Sequence, residues 1–143
     1  LKNIWLLMLG VLFLTGCSTE SSLSFSKTSK GSLNKDIQAF FIDMKQQNGV
    51  HLYFDNHNET ILVYLNGANV VKGENALHFT EFEVEEEVDT LNLLYKSDET
   101  SDYSNSSLEH ELFYEIKLDK AYSEVNLFKN GSQETFGTIS GNK

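Results

Sequence analysis

The chain has no proline and no arginine, and it holds a single cysteine, Cys17, and a single tryptophan, Trp5. Each absence excludes something. One cysteine leaves no disulfide within the chain, and none of the residues after position 17 supplies a thiol nucleophile. Without arginine, all 11 cationic side chains are lysines, set against 21 acids, so the basic stripe that nucleic-acid phosphates require is missing. Without proline, tight turns fall to Asn-Gly pairs, at 66–67 and 130–131.

What is present begins with LKNIWLLMLGVLFLTGC. Lys2 gives a positive start, Ile4 to Leu14 an apolar run, and Leu14-Thr15-Gly16-Cys17 a small-residue exit. The run is about half the ~20 residues a membrane span needs, which reads as a secretory signal rather than a transmembrane helix. Leu14-Thr15-Gly16-Cys17 resembles the lipobox of Gram-positive-type bacterial lipoproteins. The resemblance implies cleavage before Cys17, a diacylglycerol on its thiol, and a domain held at the outer face of the cytoplasmic membrane. The expected division is then 1–16 signal peptide, 17–33 lipidated flexible tether, and 34–143 one globular domain of ordinary size. Lys27, Lys30 and Lys35 against Glu20 make the tether region basic, suited to anionic headgroups beside a lipid anchor.

Charge is unevenly spread. Glu74 to Glu115 contains 13 acids and one lysine, Lys96, which implies one strongly negative face. Its densest part is EFEVEEEVD at 81–89, six carboxylates threaded by Phe82, Val84 and Val88.

Periodicity predicts one helix, Asn34 to Gln47, with Ile37, Phe40, Phe41 and Met44 as its apolar stripe, Asn34 as N-cap and Asn48-Gly49 as its stop. The period then changes to two. Strands are expected at Val50–Phe54, Thr60–Leu65, Ala76–Phe82, Glu83–Val88, Thr90–Tyr95, Glu111–Leu118, Glu124–Phe128 and Thr135–Ile139. Thr60–Leu65 is apolar on both faces, as a covered central strand should be. Apolar parity slips between Phe79 and Phe82, consistent with a β-bulge near Thr80-Glu81. Asp98 to Leu108 reads as a long polar loop. The fold class is mainly β (α+β), one N-terminal helix on a small antiparallel β-sandwich or open barrel of about seven strands, with a calycin-like barrel as the alternative.

Catalytic chemistry fits poorly. There is no G-x-S-x-G elbow, and His51, His57, His78 and His110 lack zinc-ligand spacing. Glu81, Glu83, Glu85 and Glu87 on one strand face would stand ~7 Å apart and be solvated together, the wrong setting for a carboxylic acid that must hold its proton. No enzyme and no cofactor beyond the lipid are expected. Asp98, Glu99, Asp102 and Asn105 could bind calcium weakly, though without EF-hand order. The plentiful aromatics suit either a filled core or a carrier of an apolar ligand.

In organisation (lipobox, short basic tether, compact acidic β-rich domain) the chain resembles lipoproteins that protect lantibiotic producers from their own cationic peptides. The run ILVYLNG…LHFTEFEV…DTLNLLYKS is also similar in strand order to PrcB-like envelope domains, with GANVVKGEN in place of their glycine-rich turn. With catalytic chemistry fitting poorly, the expectation is a non-catalytic, monomeric binding lipoprotein. Its expected partner is a cationic peptide or basic protein surface, met by Glu81, Glu83, Glu85, Glu87, Asp89 and Tyr103. The alternatives are the apolar-ligand carrier and a subunit or modulator of an envelope complex.

Overall fold

The computed structural model describes residues 22–142; the signal and the Leu14–Cys17 motif lie outside the described residues. Along the chain come β1 (Ser24–Thr28), a 3-10 turn (Lys30–Ser32), α1 (Lys35–Asp43) with a 3-10 extension (Met44–Gln46), β2 (Gly49–Asp55), β3 (Thr60–Asn66), β4 (Ala76–Glu87), β5 (Thr90–Thr100), β6 (Glu111–Lys117), β7 (Glu124–Lys129), β8 (Ser132–Glu134) and β9 (Ile139–Gly141). The strands form two sheets, ordered β1-β6-β3-β2-β9 and β4-β5-β7-β8. Among the described residues the architecture is a β-sandwich with one α-helix; the sheets do not close into a barrel, which removes the calycin-like alternative.

The helix forms where the apolar stripe places it. The Asn34 side chain caps it by accepting the Ile37 N–H at 3.0 Å, satisfying one of the first-turn donors that have no intrahelical acceptor. Ile37 and Phe41 are buried against Tyr53, Leu62 and Tyr64 on the outer face of the five-stranded sheet. The inner face carries Val50, Leu52, Ile61, Val63, Leu65, Leu112 and Ile116, which meet Phe79, Phe82, Leu91, Leu93, Tyr95 and Leu127 of the second sheet. Every residue of β3 is therefore buried, as its two apolar faces demand. Phe82 stacks on Tyr114 across the sandwich with ring centroids 4.2 Å apart.

Several elements differ from expectation. Residues 24–28 were expected in a flexible tether, yet β1 pairs with β6 from Ser24↔Lys117 to Thr28↔Phe113. Leu23 and Phe25 pack on the core, an alternation hidden among serines. Nine strands replace about seven, and two pairings are parallel, β5 with β7 and β2 with β9. Parallel pairing follows because the chain leaves β5 for β6 in the other sheet before returning as β7. The expected strand at 135–139 is not formed, residues 135–138 being irregular: Ser132–Glu134 before it closes the Asn130-Gly131 hairpin, where both residues have positive φ (49° and 84°), and Ile139–Gly141 joins the opposite sheet. The bulge is present between Phe79 and Glu81. Val88, which shares the parity of the core-facing Phe82 and Val84, is 79% exposed at the β4–β5 turn, with φ 56°. β5 runs on to Thr100, taking Asp98 and Glu99 out of the expected loop.

Candidate functional site

β4 is an edge strand of the second sheet, and its residues alternate. Phe82 is buried and Val84 half-buried, while Glu81, Glu83, Glu85 and Glu87 are exposed. These four carboxylates stand on the outer face, opposite Lys96, Leu94, Asn92 and Thr90 of β5. The next strand, β7, sets Phe128 beside Leu94 and Asn126 beside Asn92. Leu94 and Phe128 are half-buried. A shallow groove of about 210 Å³ lies on this face, lined by Glu81, Glu83 and Glu85 of β4, by Leu94 as its apolar floor beside Lys96, and by Gly131. Leu94 breaks the alternation of Leu91, Leu93 and Tyr95, the one trace of this floor in the sequence.

The six carboxylates of 81–89 are not equivalent. Lys96 Nζ lies 3.2 Å from Glu81, with both side chains more than half exposed. Glu86, on the opposite parity to its neighbours, meets Lys120 at 3.2 Å, and Lys120 reaches Asp89 at 4.0 Å. The Tyr122 hydroxyl sits between Asp119 Oδ1 at 2.6 Å and Glu86 Oε2 at 2.8 Å, with one proton for two carboxylates. Burial and these two acceptors raise the Tyr122 pKa, and its hydroxyl holds Asp119 below the ordinary carboxylate range. Glu83, Glu85 and Glu87 have no ammonium partner among the described residues.

The other expected site residues are dispersed. Tyr103 is exposed and gives its hydroxyl to the Glu74 carbonyl, beside the start of β4, where Ala76 pairs with Thr100. Glu87 lies eleven residues further along β4, about 35 Å at strand rise; Tyr103 belongs to the opposite end of the acidic row. Lys27 of β1 pairs with Glu109 at 3.1 Å. Lys30 lines a separate small cleft with Phe41, Lys45 and Tyr64, and Lys35 opens α1. The three lysines thus sit on three successive elements.

Two of the loop oxygens considered for calcium accept local hydrogen bonds. Asp102 Oδ1 accepts from the Ser104 N–H and hydroxyl, and Asn105 Oδ1 from those of Ser107. Among the described residues no three His, Cys, Asp or Glu side chains gather at metal-binding distance. A larger cleft, about 510 Å³, opens between the start of α1 and the β2–β3 turn, where Leu33, Ile37, Leu62 and Leu118 share the walls with charged residues such as Asp55, Glu59 and Lys117.

The chain's entry and the acidic hairpin adjoin one segment. Ser24 pairs with Lys117, while Lys120 Nζ donates to the Val88 carbonyl at 2.8 Å and Ser123 N–H to that of Asp89 at 2.9 Å. The N-terminal end of the described chain and the turn at Val88-Asp89 therefore lie at the same end of the sandwich. Compared with protein-family models, curated proteins and solved structures, the chain gives no match.

Proposed function

We propose that this protein is a non-catalytic lipoprotein, anchored through Cys17 at the outer face of the cytoplasmic membrane, that captures a cationic peptide on the outer face of its β4–β5 hairpin. The observation that carries the reading is the row Glu83, Glu85 and Glu87, without an ammonium partner among the described residues and set beside the half-buried Leu94 and Phe128. Carboxylates attract the ammonium or guanidinium, and the apolar floor accepts the aliphatic stem behind it. Aligned like charges in a strand repel one another until a counter-charge arrives, so binding relieves a cost already present in the free protein.

Two further features support it. Six residues lie between Cys17 and Ser24, and the seven steps span at most about 25 Å, so a lipid on Cys17 holds the acidic hairpin close to the bilayer, where amphipathic cationic peptides collect. Lys96 on Glu81 is a built-in example of an ammonium held at this groove. Titrating the purified protein with a cationic antimicrobial peptide tests the reading: binding at low ionic strength that weakens sharply at about 0.5 M salt, where screening reaches a few ångström, is expected. Salt-indifferent binding or none at all sinks it.

Val70 and Val71 are exposed near the end of the sandwich where Tyr103 also stands exposed, which favours a second reading, a subunit of an envelope protein complex. A photo-crosslinking residue at Val71 in whole cells distinguishes the two: crosslinks to a discrete protein support the complex, and crosslinks only at Glu85 and to added peptide support capture.

A further inference from the structure

β9 is an edge strand of the first sheet, three exposed residues laid parallel against β2. The segment around it is fastened through two buried titratable side chains of β2. At one end His51, fully buried, has both ring nitrogens engaged. Nδ1 accepts the Thr138 N–H at 3.0 Å, so Nε2 carries the proton and donates to the Gln47 carbonyl at 2.8 Å. The chain closes directly onto the ring: a Cβ on Gly137 would lie 2.6 Å from His51 Cε1. At the other end the buried Asp55 accepts from Asn142 Nδ2 and Asn58 Nδ2, both at 2.8 Å. Asn142 in turn accepts from the Asn56 N–H and Nδ2, each at 2.7 Å. Backbone bonds link Gly137 to Val50, Leu52 to Thr138 and Asn142 to Phe54.

We propose that residues 137–142 form an acid-released strap, which lifts from β2 when His51 takes up a second proton. A doubly protonated imidazole has no acceptor. Its new Nδ1–H would face the Thr138 N–H donor to donor, with an unpaired charge in a buried place. The titratable group facing the ring from β3 is Tyr64, with centroids 5.8 Å apart, and its hydroxyl is given to Glu111 of β6. From the turn after α1 the ring meets the neutral Gln47 carbonyl. Asp55 has His57 nearby, and Glu59, Glu115 and Lys117 share the cleft it borders.

The two clips open at different acidities. Burial lowers the His51 pKa from 6.5, only partly offset by the Gln47 bond. The neutral form is thus the folded one, and its stabilising effect is complete above pH 6.5 and lost as pH falls toward the lowered folded pKa. Burial pushes Asp55 up, but the Asn58 and Asn142 hydrogen bonds outweigh it and hold the carboxyl below 3.8; that clip persists until much stronger acid. In mild acid the strap therefore opens from its Gly137 end while Asn142 stays clipped. The opening frees the Leu52 N–H and Val50 carbonyl, an unpaired strand edge of the kind that accepts another strand.

Amide hydrogen exchange followed by NMR tests this. After correction for intrinsic exchange, the opening constant at Thr138 and Leu52 should rise about tenfold per pH unit below about 6.5. Val63 in β3 should stay protected. His51→Gln should flatten the pH response. Should that variant not fold, the ring-nitrogen shifts of His51 in the unaltered protein serve instead, and their midpoint should coincide with the loss of Thr138 protection. Protection at Thr138 that is flat with pH, His51 titrating under a still-protected strap, or Val63 opening with the same slope would each overturn the proposal.

Discussion

Glu83 stands directly across from Leu94 in the β4–β5 hairpin, so an exposed carboxylate and a half-buried aliphatic side chain share one spot on the outer face of the sandwich. Solvated acids on an edge strand ordinarily discourage edge-to-edge pairing. The apolar neighbour is what separates this row from a merely wet surface, because it offers contact as well as attraction.

Lys96 competes for the same groove. Removing it as Lys96→Gln frees Glu81 and deepens the negative potential. Affinity for a cationic peptide should rise about threefold to fivefold, the size of one exposed ion pair. Isothermal titration of both proteins at one ionic strength measures it; weaker binding by the variant would show that Lys96 itself contacts the ligand.

β1 is part of the domain, and its removal should show it. Phe25 packs edge-on against Phe82 at 5.6 Å and against Tyr114 at 6.3 Å. Phe25→Ala should cost about 2–4 kcal/mol, toward the lower end of large-to-small core changes because Phe25 is only half-buried. Urea unfolding with an unchanged m-value checks this; an unshifted midpoint would return residues 24–28 to the tether.

The buried Asn66 ties the helix end to the sheet. Its amide nitrogen lies 3.2, 3.0 and 2.9 Å from the carbonyls of Met44, Lys45 and Gln47, groups a helix C-terminus leaves without intrahelical partners. Its Oδ1 accepts the Ala68 N–H. Asn66→Ala should cost about 2–4 kcal/mol through stranded carbonyls. Asn66→Asp should cost at least as much, since it points a carboxylate at three of them.

Stability should also fall in alkali. Tyr64 and Tyr95 are buried and donate to Glu111 and Glu134; burial first, then the carboxylate partner, raises both pKa values well above 10.0. The unfolded chain ionises first, so their stabilising effect is intact below pH 10 and is lost above it. The loss is about 1.4 kcal/mol per pH unit for each ring. Denaturant midpoints at pH 9 and about pH 11, with Tyr95→Phe as the comparison, measure the slope.

Much of the fold was legible because burial enforces periodicity. The stripe of Ile37 and Phe41, the two-faced run Ile61–Leu65, and the parity slip at Thr80-Glu81 each had one structural solution. What escaped were features set by partners distant in sequence. β1 is too short and serine-rich to announce itself, and its strand character comes from β6, almost ninety residues on. The parallel pairing of β5 with β7 depends on the excursion through the other sheet. Val88 looked like core by parity alone, yet the β4–β5 turn takes it out. For the site, the carboxylates were evident but their inequality was not. Glu86 differs from Glu85 only in facing Tyr122 and Lys120, residues more than thirty positions away.

The most direct test of peptide capture is the affinity of the triple change Glu83→Gln, Glu85→Gln, Glu87→Gln for a cationic peptide, read by fluorescence titration at low ionic strength beside a triple change at the remote acids Glu74, Glu99 and Asp102. Loss of about tenfold to thirtyfold, at 0.5–0.7 kcal/mol per exposed charge, is predicted for the first set, with little change for the second. Equal losses from both sets would mean that net charge alone draws the peptide, and would contradict a site on the β4–β5 face.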